Sequence, residues 1–241
     1  MNRVRLGVNI DHIATIRNAR GEDYPNPLKA ALIAQKCKVD SITIHLREDR
    51  RHIKDYDLKN IKKKIKIPIN LEMAPTKQML NIAIKYKPDY VCIVPEKRRE
   101  ITTEGGLNLK KNNFNLKKII KLLKKNQIRV SLFIEPKISD IKLSKNLGAS
   151  CVELHTGKLC NLYNKRKKIN NILLSLKKAS KYAQEIGLDV HAGHGLTYKT
   201  AKIIRNVKYI NELNIGHFIV SEALFVGLKK SISNFKKILK K

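Results

Sequence analysis

The stretch RVSLFIEPKISDIKLSKNLGASCVELH, from Arg129 to His155, contains the unit that repeats along this 241-residue chain. It opens with RVSLFI, a short run of mostly apolar or β-branched residues, typical of a strand buried on both faces of a parallel sheet. A helix-like segment follows over 138–146, and Gly148 stands where a helix C-cap leads into the next apolar run, Cys151–His155. The stretch therefore predicts one strand–helix–strand unit.

The same alternation continues in both directions. The predicted strands are Arg5–Asn9, Ser41–His45, Pro68–Glu72, Tyr90–Val94, Arg129–Ile134, Cys151–His155, Asp189–Ala192 and Glu212–Ile215. The predicted helices are Asn26–Lys38, Asp55–Lys64, Thr76–Lys85, Asn115–Lys125, Ile138–Asn146, Ile169–Glu185, Tyr198–Asn206 and a last one running to Lys241. No linker or low-complexity segment interrupts them, which predicts a single catalytic domain over residues 1–241 with the α/β fold of a (β/α)8 TIM barrel.

An open doubly wound sheet is the alternative fold. The first predicted strand lacks the glycine-rich phosphate turn of that fold, and reactive residues follow nearly every strand. Both features favour the closed barrel.

The bulk composition predicts a cytoplasmic protein without a membrane partner. The chain is 42% hydrophobic and has no run of 18 apolar residues, and its opening residues MNRVRLGVNIDH lead straight into a strand. The four cysteines form no CxxC pair and no metal-finger spacing, which fits a reducing compartment. They are Cys37, Cys92, Cys151 and Cys160.

The net charge of +31 is the one unusual bulk property, and it raises the alternative of nucleic-acid binding. The lysines are scattered over helix-like segments together with many Ile and Asn residues, which A+T-rich codons supply. We therefore expect a solvated basic surface and no nucleic-acid partner. The charge is expected to attract small anionic substrates.

All seven histidines are predicted to lie near strand ends and outside helix bodies. They are His12, His45, His52, His155, His191, His194 and His217. Because the loops that follow the strands of such a barrel converge at its C-terminal rim, the pattern predicts an active site there.

Other polar residues join the predicted rim. Asn9, Asp11 and Arg47 follow the first two strands, and Glu72 ends the third. Glu72 beside a histidine or arginine is a natural general base. Glu153 has two open interpretations, a structural ion-pair partner or a group used in the chemistry.

Two glycine–histidine turns and one long loop predict phosphate binding. Gly193–Gly195 and Gly216–His217 each lead into a helix, where backbone N–H groups bind anions. The loop Pro95–Asn108 contains Thr102, Thr103 and a Gly–Gly pair, and we expect it to act as a lid rather than as a variable surface loop.

The motifs GVNIDHIATIRNARG, TIHLREDRRHI, NLEMA, VPEKRREITTEGGLN, SLFIEP, ELHTG, AGHGLTY and ELNIGH occur in this order between Gly7 and His217. Together they resemble the pyridoxine 5′-phosphate synthase family. The resemblance implies a TIM barrel with extra helices, assembled as a homo-octamer (a tetramer of dimers). It also implies a transferase of vitamin B6 biosynthesis that condenses two small phosphorylated substrates, 1-deoxy-D-xylulose 5-phosphate and 3-amino-2-oxopropyl phosphate. The products are pyridoxine 5′-phosphate, phosphate and water, and no cofactor or metal takes part.

The resemblance also implies roles for individual residues. His45 and Glu72 match proton acceptors, His194 matches the proton donor, and Glu153 matches a transition-state stabiliser. Positions binding the deoxyxylulose phosphate are matched by Asp11, His12, Arg47, His52 and Thr102, and those binding the amino ketone phosphate by Asn9, Arg20, Gly195, Gly216 and His217. Ser221–Glu222 departs from the Gly–Arg of many relatives, which is expected to weaken an anion or oligomer contact.

A metal-dependent hydrolase on the same fold is the remaining rival, because clustered His, Asp and Glu residues are able to ligate zinc. Against it, Asp11 and His12 are adjacent and diverge in an extended chain, and no HxH pair ends a strand.

Overall fold

Eight parallel strands close into a barrel in the computed structural model, which describes residues 3–96, 105–111 and 113–240, apart from the side chains of residues 113 and 114. The strands are β1 Arg5–Asn9, β2 Ser41–His45, β3 Ile69–Met73, β4 Tyr90–Ile93, β5 Arg129–Ile134, β6 Cys151–His155, β7 Asp189–Gly193 and β8 Glu212–Ile215. Each pairs with the next in the chain, and β8 pairs with β1. The predicted TIM barrel is confirmed and the open sheet is wrong.

Eleven helices lie within the described residues. They are α1 Asp11–Arg20, α2 Pro27–Lys36, α3 Asp55–Lys64, α4 Lys77–Tyr86, α5 Asn113–Lys125, α6 Ile138–Leu147, α7 Gly157–Asn164, α8 Asn170–Glu185, α9 Tyr198–Ile204, α10 His217–Val226 and α11 Leu228–Leu239.

Two of these helices, α1 and α7, were not predicted from the apolar pattern. The final predicted helix, running to Lys241, is wrong as one element because α10 and α11 are separate. Gly227 stands between them with a φ of 80°, a left-handed value that glycine adopts without a steric penalty.

Local signals set several boundaries. Gly148 ends α6 with a φ of 90°, and its N–H donates to the carbonyl of Lys145 over 2.9 Å, which confirms the predicted C-cap. At the start of α2, the Asn26 side chain accepts the N–H of Lys29, and Pro27 occupies the first helical position. Thr76 caps α4 in the same way.

The strand side chains divide the barrel into an apolar shell and a polar interior. Outward residues such as Val8 and Ile44 are fully buried against the helices. Gly7 faces inward, where an added Cβ would collide with the side chains of Asn214 and Ser41. The prediction of strands buried on both faces is correct, but their inner face is lined by polar groups rather than by branched apolar ones.

All four cysteines are free thiols, and three of them are buried. Across the described ranges, none of the helices combines the length and apolar character needed to cross a bilayer.

Candidate active site

Strand register brings distant parts of the chain together at the C-terminal rim. His45 is the last residue of β2 and lies opposite Glu72 of β3. On the other side of the barrel, His155 ends β6 opposite Gly193 of β7. These pairings place the predicted proton-transfer residues at one end of the barrel.

Six of the seven histidines lie in three ring pairs. The ring centroids are 4.7 Å apart for His12 and His217, and 5.8 Å apart for His45 and His52. They are 5.1 Å apart for His155 and His194.

The prediction that no histidine lies within a helix is wrong for two of them. His12 is the second residue of α1, and His217 is the first residue of α10. Both helices begin directly after a strand, so both side chains remain at the rim. Burial lowers the pKa of His12; the charge of Asp11 opposes this shift, while His217 adds to it.

The prediction that His191 joins the rim is also wrong. It is the third residue of β7 and pairs with Glu212, the first residue of β8, so it lies toward the N-terminal end of the barrel. Its Nε2 lies 3.2 Å from Asp189 Oδ2 and 3.1 Å from Arg5 Nη2. Burial acts to lower the pKa of His191, but its neighbours Cys151, Glu212 and Asp189 together raise it well above the ordinary value.

His45 and Glu72 form the pair best placed to accept protons. His45 Nδ1 lies 3.9 Å from Glu72 Oε2. Burial, with the charges of Glu153 and Asp11, raises the pKa of Glu72 well above its ordinary value. A carboxyl group of raised pKa beside an imidazole is suited to general acid–base chemistry.

Asn9 and Asp11 hydrogen-bond to each other close to this pair, and the two residues are called the Asn9–Asp11 corner below. Asn9 Nδ2 donates to Asp11 Oδ2 over 2.8 Å, and the Asp11 N–H donates back to Asn9 Oδ1 over 2.9 Å. Asp11 Oδ1 accepts the backbone N–H of His45 at 2.8 Å. Gly216 packs closely on the same corner, because an added Cβ would lie 2.8 Å from Asn9 Oδ1.

Glu153 lies deeper, inside the barrel. Its Oε2 accepts hydrogen bonds from Asn214 Nδ2 at 2.6 Å and Cys92 Sγ at 3.8 Å. Burial raises the pKa of Glu153 to about 7, although the charge of His191 acts to lower it. These contacts leave both of its predicted interpretations open.

His194 and His155 are held by their own partners. Glu135 Oε1 lies 2.8 Å from His155 Nδ1 and accepts the N–H of Gly106 at 3.1 Å. Thr156 Oγ1 lies 2.7 Å from the His194 carbonyl, to which it donates. Burial, with the charge of His155, lowers the pKa of His194 to about 4.

Gly195 adopts a left-handed φ of 77° in the same turn, with an added Cβ expected only 3.1 Å from Cys160. Glycine is therefore required at this turn on both conformational and steric grounds.

The two predicted phosphate-binding arginines, Arg47 and Arg20, lie in different places. Arg47 is buried beside the cluster, where its Nε donates to Asp49 Oδ1 over 3.2 Å. Arg20 lies at the far end of α1 with its side chain 81% exposed and 3.9 Å from Glu22, so this chain does not bring it to its own rim cluster. Thr102 and most of the predicted lid lie outside the described residues.

Two groups within the described residues have metal-ligand composition, Asp11–His45–His52 and Cys151–Asp189–His191. In the first, the Asp11 oxygens and His45 Nε2 already take part in hydrogen bonds. In the second, Asp189 already forms ion pairs with Arg5 and Arg129. A metal cation at this site would be repelled by these two guanidinium groups. Both donor sets are better suited to hydrogen bonding than to holding a metal ion.

Glu96 and Glu135 were not singled out by sequence reasoning, and both contact rim histidines. Each follows a strand by one to three residues, which is the positional signal that identified His12. Asn214, the partner of Glu153, was also missed because it lies within a strand.

The sequence is similar to those of known proteins over nearly its whole length. The sequence model of the family described as "Pyridoxal phosphate biosynthesis protein PdxJ" matches residues 6–241. A pyridoxine 5′-phosphate synthase of Pelagibacter ubique is 55% identical over 237 residues, covering 98% of this chain and 99% of that protein. One from Aquifex aeolicus is 49% identical over 241 residues, covering 98% of this chain and 100% of that protein.

Among solved structures, 3-keto-L-gulonate-6-phosphate decarboxylase from Vibrio cholerae superposes with a TM-score of 0.67 at 10% identity, over 99% of this chain and 98% of that one. The 3-hexulose-6-phosphate synthase from Salmonella typhimurium gives a TM-score of 0.67 at 13% identity, over 98% of each chain. At such identities the likeness concerns the fold alone.

Proposed function

The chain belongs to the pyridoxal phosphate biosynthesis protein PdxJ family and is an enzyme of pyridoxine 5′-phosphate synthesis, and from that premise we propose how its rim residues perform the reaction. The substrates are 1-deoxy-D-xylulose 5-phosphate and 3-amino-2-oxopropyl phosphate. The products are pyridoxine 5′-phosphate, inorganic phosphate and water.

One observation carries the residue assignment: an imidazole and a carboxyl group of raised pKa, His45 and Glu72, lie 3.9 Å apart at the rim. The condensation requires repeated proton transfers on two phosphorylated ketones. The amine of the substrate is itself able to form the imine, so no lysine nucleophile is needed. None of the described strands ends in a lysine.

In the proposed reaction, His45 and Glu72 remove protons from carbon or water. His194, on the β7–α9 turn, supplies a proton to the departing oxygen. Glu153 stabilises charge on the bound intermediate from inside the barrel. The Asn9–Asp11 corner fixes the backbone on which His45 is held.

The two phosphate groups are proposed to bind at different parts of the rim. The N-terminus of α10, beginning at His217 after Gly216, supplies the backbone N–H groups of its first turn for the amino ketone phosphate, with Gly195 on the neighbouring turn. His12, His52 and Arg47 surround the position of the deoxyxylulose phosphate, together with Thr102. The net charge of +31 increases the encounter rate with both anions.

The proposed assembly is a homo-octamer in the cytoplasm, with small phosphorylated molecules as the only other partners. Two surface features support association of copies. Leu224, Phe225 and Val226 are exposed at the end of α10, Phe225 to 86%. Arg20 is remote from its own cluster, so its role in binding the amino ketone phosphate is fulfilled in the site of a neighbouring copy.

A turnover assay tests this function. Purified protein mixed with both substrates is expected to release phosphate and form pyridoxine 5′-phosphate at a rate that exhaustive chelation leaves unchanged. Absence of either product would contradict the proposed reaction. Loss of turnover on chelation, restored by added zinc, would instead support the metal-dependent rival.

A further inference from the structure

Glu96 forms a close contact with the proposed proton acceptor. It lies three residues beyond the end of β4, and its side chain is only 6% exposed. Its Oε1 lies 2.8 Å from His45 Nε2, and its Oε2 accepts the backbone N–H of Glu48 at 3.1 Å. Both carboxylate oxygens are therefore engaged, one by the imidazole and one by the backbone just beyond β2.

The opposite ring nitrogen of His45 is directed toward Glu72. His45 Nδ1 lies 3.9 Å from Glu72 Oε2, so the imidazole stands between two carboxyl groups. We propose that Glu96 is a positioning residue that keeps the His45 proton on Nε2, which leaves Nδ1 as the atom that accepts a proton from substrate or water. This rests on the proposed function of His45.

The charge state of Glu96 supports the direction of the hydrogen bond. Burial acts to raise the pKa of Glu96, but the hydrogen bond and charge of His45 and the N–H of Glu48 outweigh it, so the pKa lies below its ordinary value. An ionised carboxylate only accepts hydrogen bonds, so the imidazole nitrogen facing it must carry the proton.

The proton transfer balances without a further reactant. A proton moves from a substrate carbon or water to Nδ1, and its electron pair stays on the atom that loses it. The imidazolium formed has one N–H bonded to Glu96, whose negative charge stabilises it, and Glu96 remains ionised throughout. The proton on Nδ1 then lies beside Glu72, which relays it onward.

The remaining groups around His45 fix its place but not its tautomer. Asp11 binds only its backbone N–H, and the ring of His52 lies with its centroid 5.8 Å away. Arg47 acts on Glu96 through its charge. Glu96 is thus the group in hydrogen-bond contact with the His45 ring among the described residues.

The test joins a spectroscopic and a kinetic measurement on the intact enzyme. In protein labelled with ¹⁵N-histidine, solid-state NMR is expected to show neutral His45 with its proton on Nε2, the His45 signal being identified by its loss in His45→Ala. In Glu96→Gln the amide is able to donate as well as accept, so we expect a substantial Nδ1–H population. The kcat is expected to fall about 100-fold, with KM changed by less than about threefold.

Glu185→Gln is the matched control, because it removes the same charge from an exposed carboxylate whose ion-pair partner among the described residues is Lys181. It is expected to leave both the tautomer and kcat unchanged. Glu96→Asp keeps the charge and is expected to retain the Nε2–H tautomer, which separates the effect of orientation from that of folding.

Neutral His45 protonated on Nδ1 in the wild-type enzyme would overturn the proposal without any variant. So would a Glu96→Gln enzyme with wild-type kcat. If instead His45→Ala retains full turnover, the proposed function of His45 is wrong, and the tautomer measurement still decides the contact with Glu96.

Discussion

His194 is the proposed proton donor, yet burial and the charge of His155 hold its pKa at about 4 in the free protein. At pH 7 its imidazole is therefore neutral and donates as an N–H group. A bound phosphate dianion favours the imidazolium, so we expect the pKa of His194 to rise by at least about one unit when substrate binds.

An NMR titration of labelled histidine, with and without 3-amino-2-oxopropyl phosphate, measures this shift. The His191 signal serves as the internal reference, because that residue lies toward the opposite end of the barrel, beside Asp189. A free-enzyme pKa of 6.5 or above for His194, or no rise with ligand, would contradict the electrostatic account of the rim.

The position of a single site residue was predictable where the residue lies at the end of a strand. His45 and Glu72 follow from register, since parallel strands end at the same edge. His191 was misplaced because a residue near the end of a five-residue strand and one in its centre look alike in sequence. Glu96 was missed because its importance comes from the 2.8 Å contact to His45, which no spacing encodes.

Two helices, α1 and α3, are joined by a buried ion pair between Arg17 and Asp57. The two side chains are 1% and 4% exposed, and Arg17 Nη1 donates to Asp57 Oδ1 over 2.7 Å. Asp57→Asn leaves the guanidinium buried without a countercharge. We expect the free energy of unfolding to fall by about 3–5 kcal/mol.

Urea denaturation measures this change, with Glu185→Gln as the exposed control, expected to alter the free energy of unfolding by less than about 0.5 kcal/mol. Replacing both partners, as in Arg17→Met with Asp57→Leu, is expected to recover most of the loss because no buried charge remains. A loss below about 1 kcal/mol in Asp57→Asn would show that water reaches the pair.

Helices were predictable where their apolar residues recur on one face, as in α5. The pattern did not reveal α1, whose fully buried Arg17 interrupts the apolar face. It did not separate α10 from α11 either, because Leu224 and Phe225 are apolar but exposed. Arg17 is buried through its ion pair with Asp57 of α3, a contact that the apolar pattern of α1 does not encode.

For the whole molecule, the proposed assembly gives Arg20 a role in the site of a neighbouring copy. If each Arg20 serves the site of its neighbour, hybrid dimers of Arg20→Ala and Glu72→Gln chains contain one intact site. Co-expression of the two chains is then expected to restore about a quarter of the wild-type turnover, because half of randomly formed dimers are hybrids. A mixture no more active than its two components would place Arg20 in its own site or outside the reaction.

The kcat of Glu72→Gln with both substrates at saturation tests the central claim, that the C-terminal rim of this barrel catalyses the condensation through His45 and Glu72. The account predicts a fall of at least about 100-fold. Unfolding by urea is expected to be unchanged or shifted toward higher stability, because desolvation and nearby charges raise the pKa of Glu72, so its ionised form is disfavoured in the folded state. Glu185→Gln is expected to retain the wild-type rate. A Glu72→Gln enzyme that turns over at the wild-type rate would contradict the account.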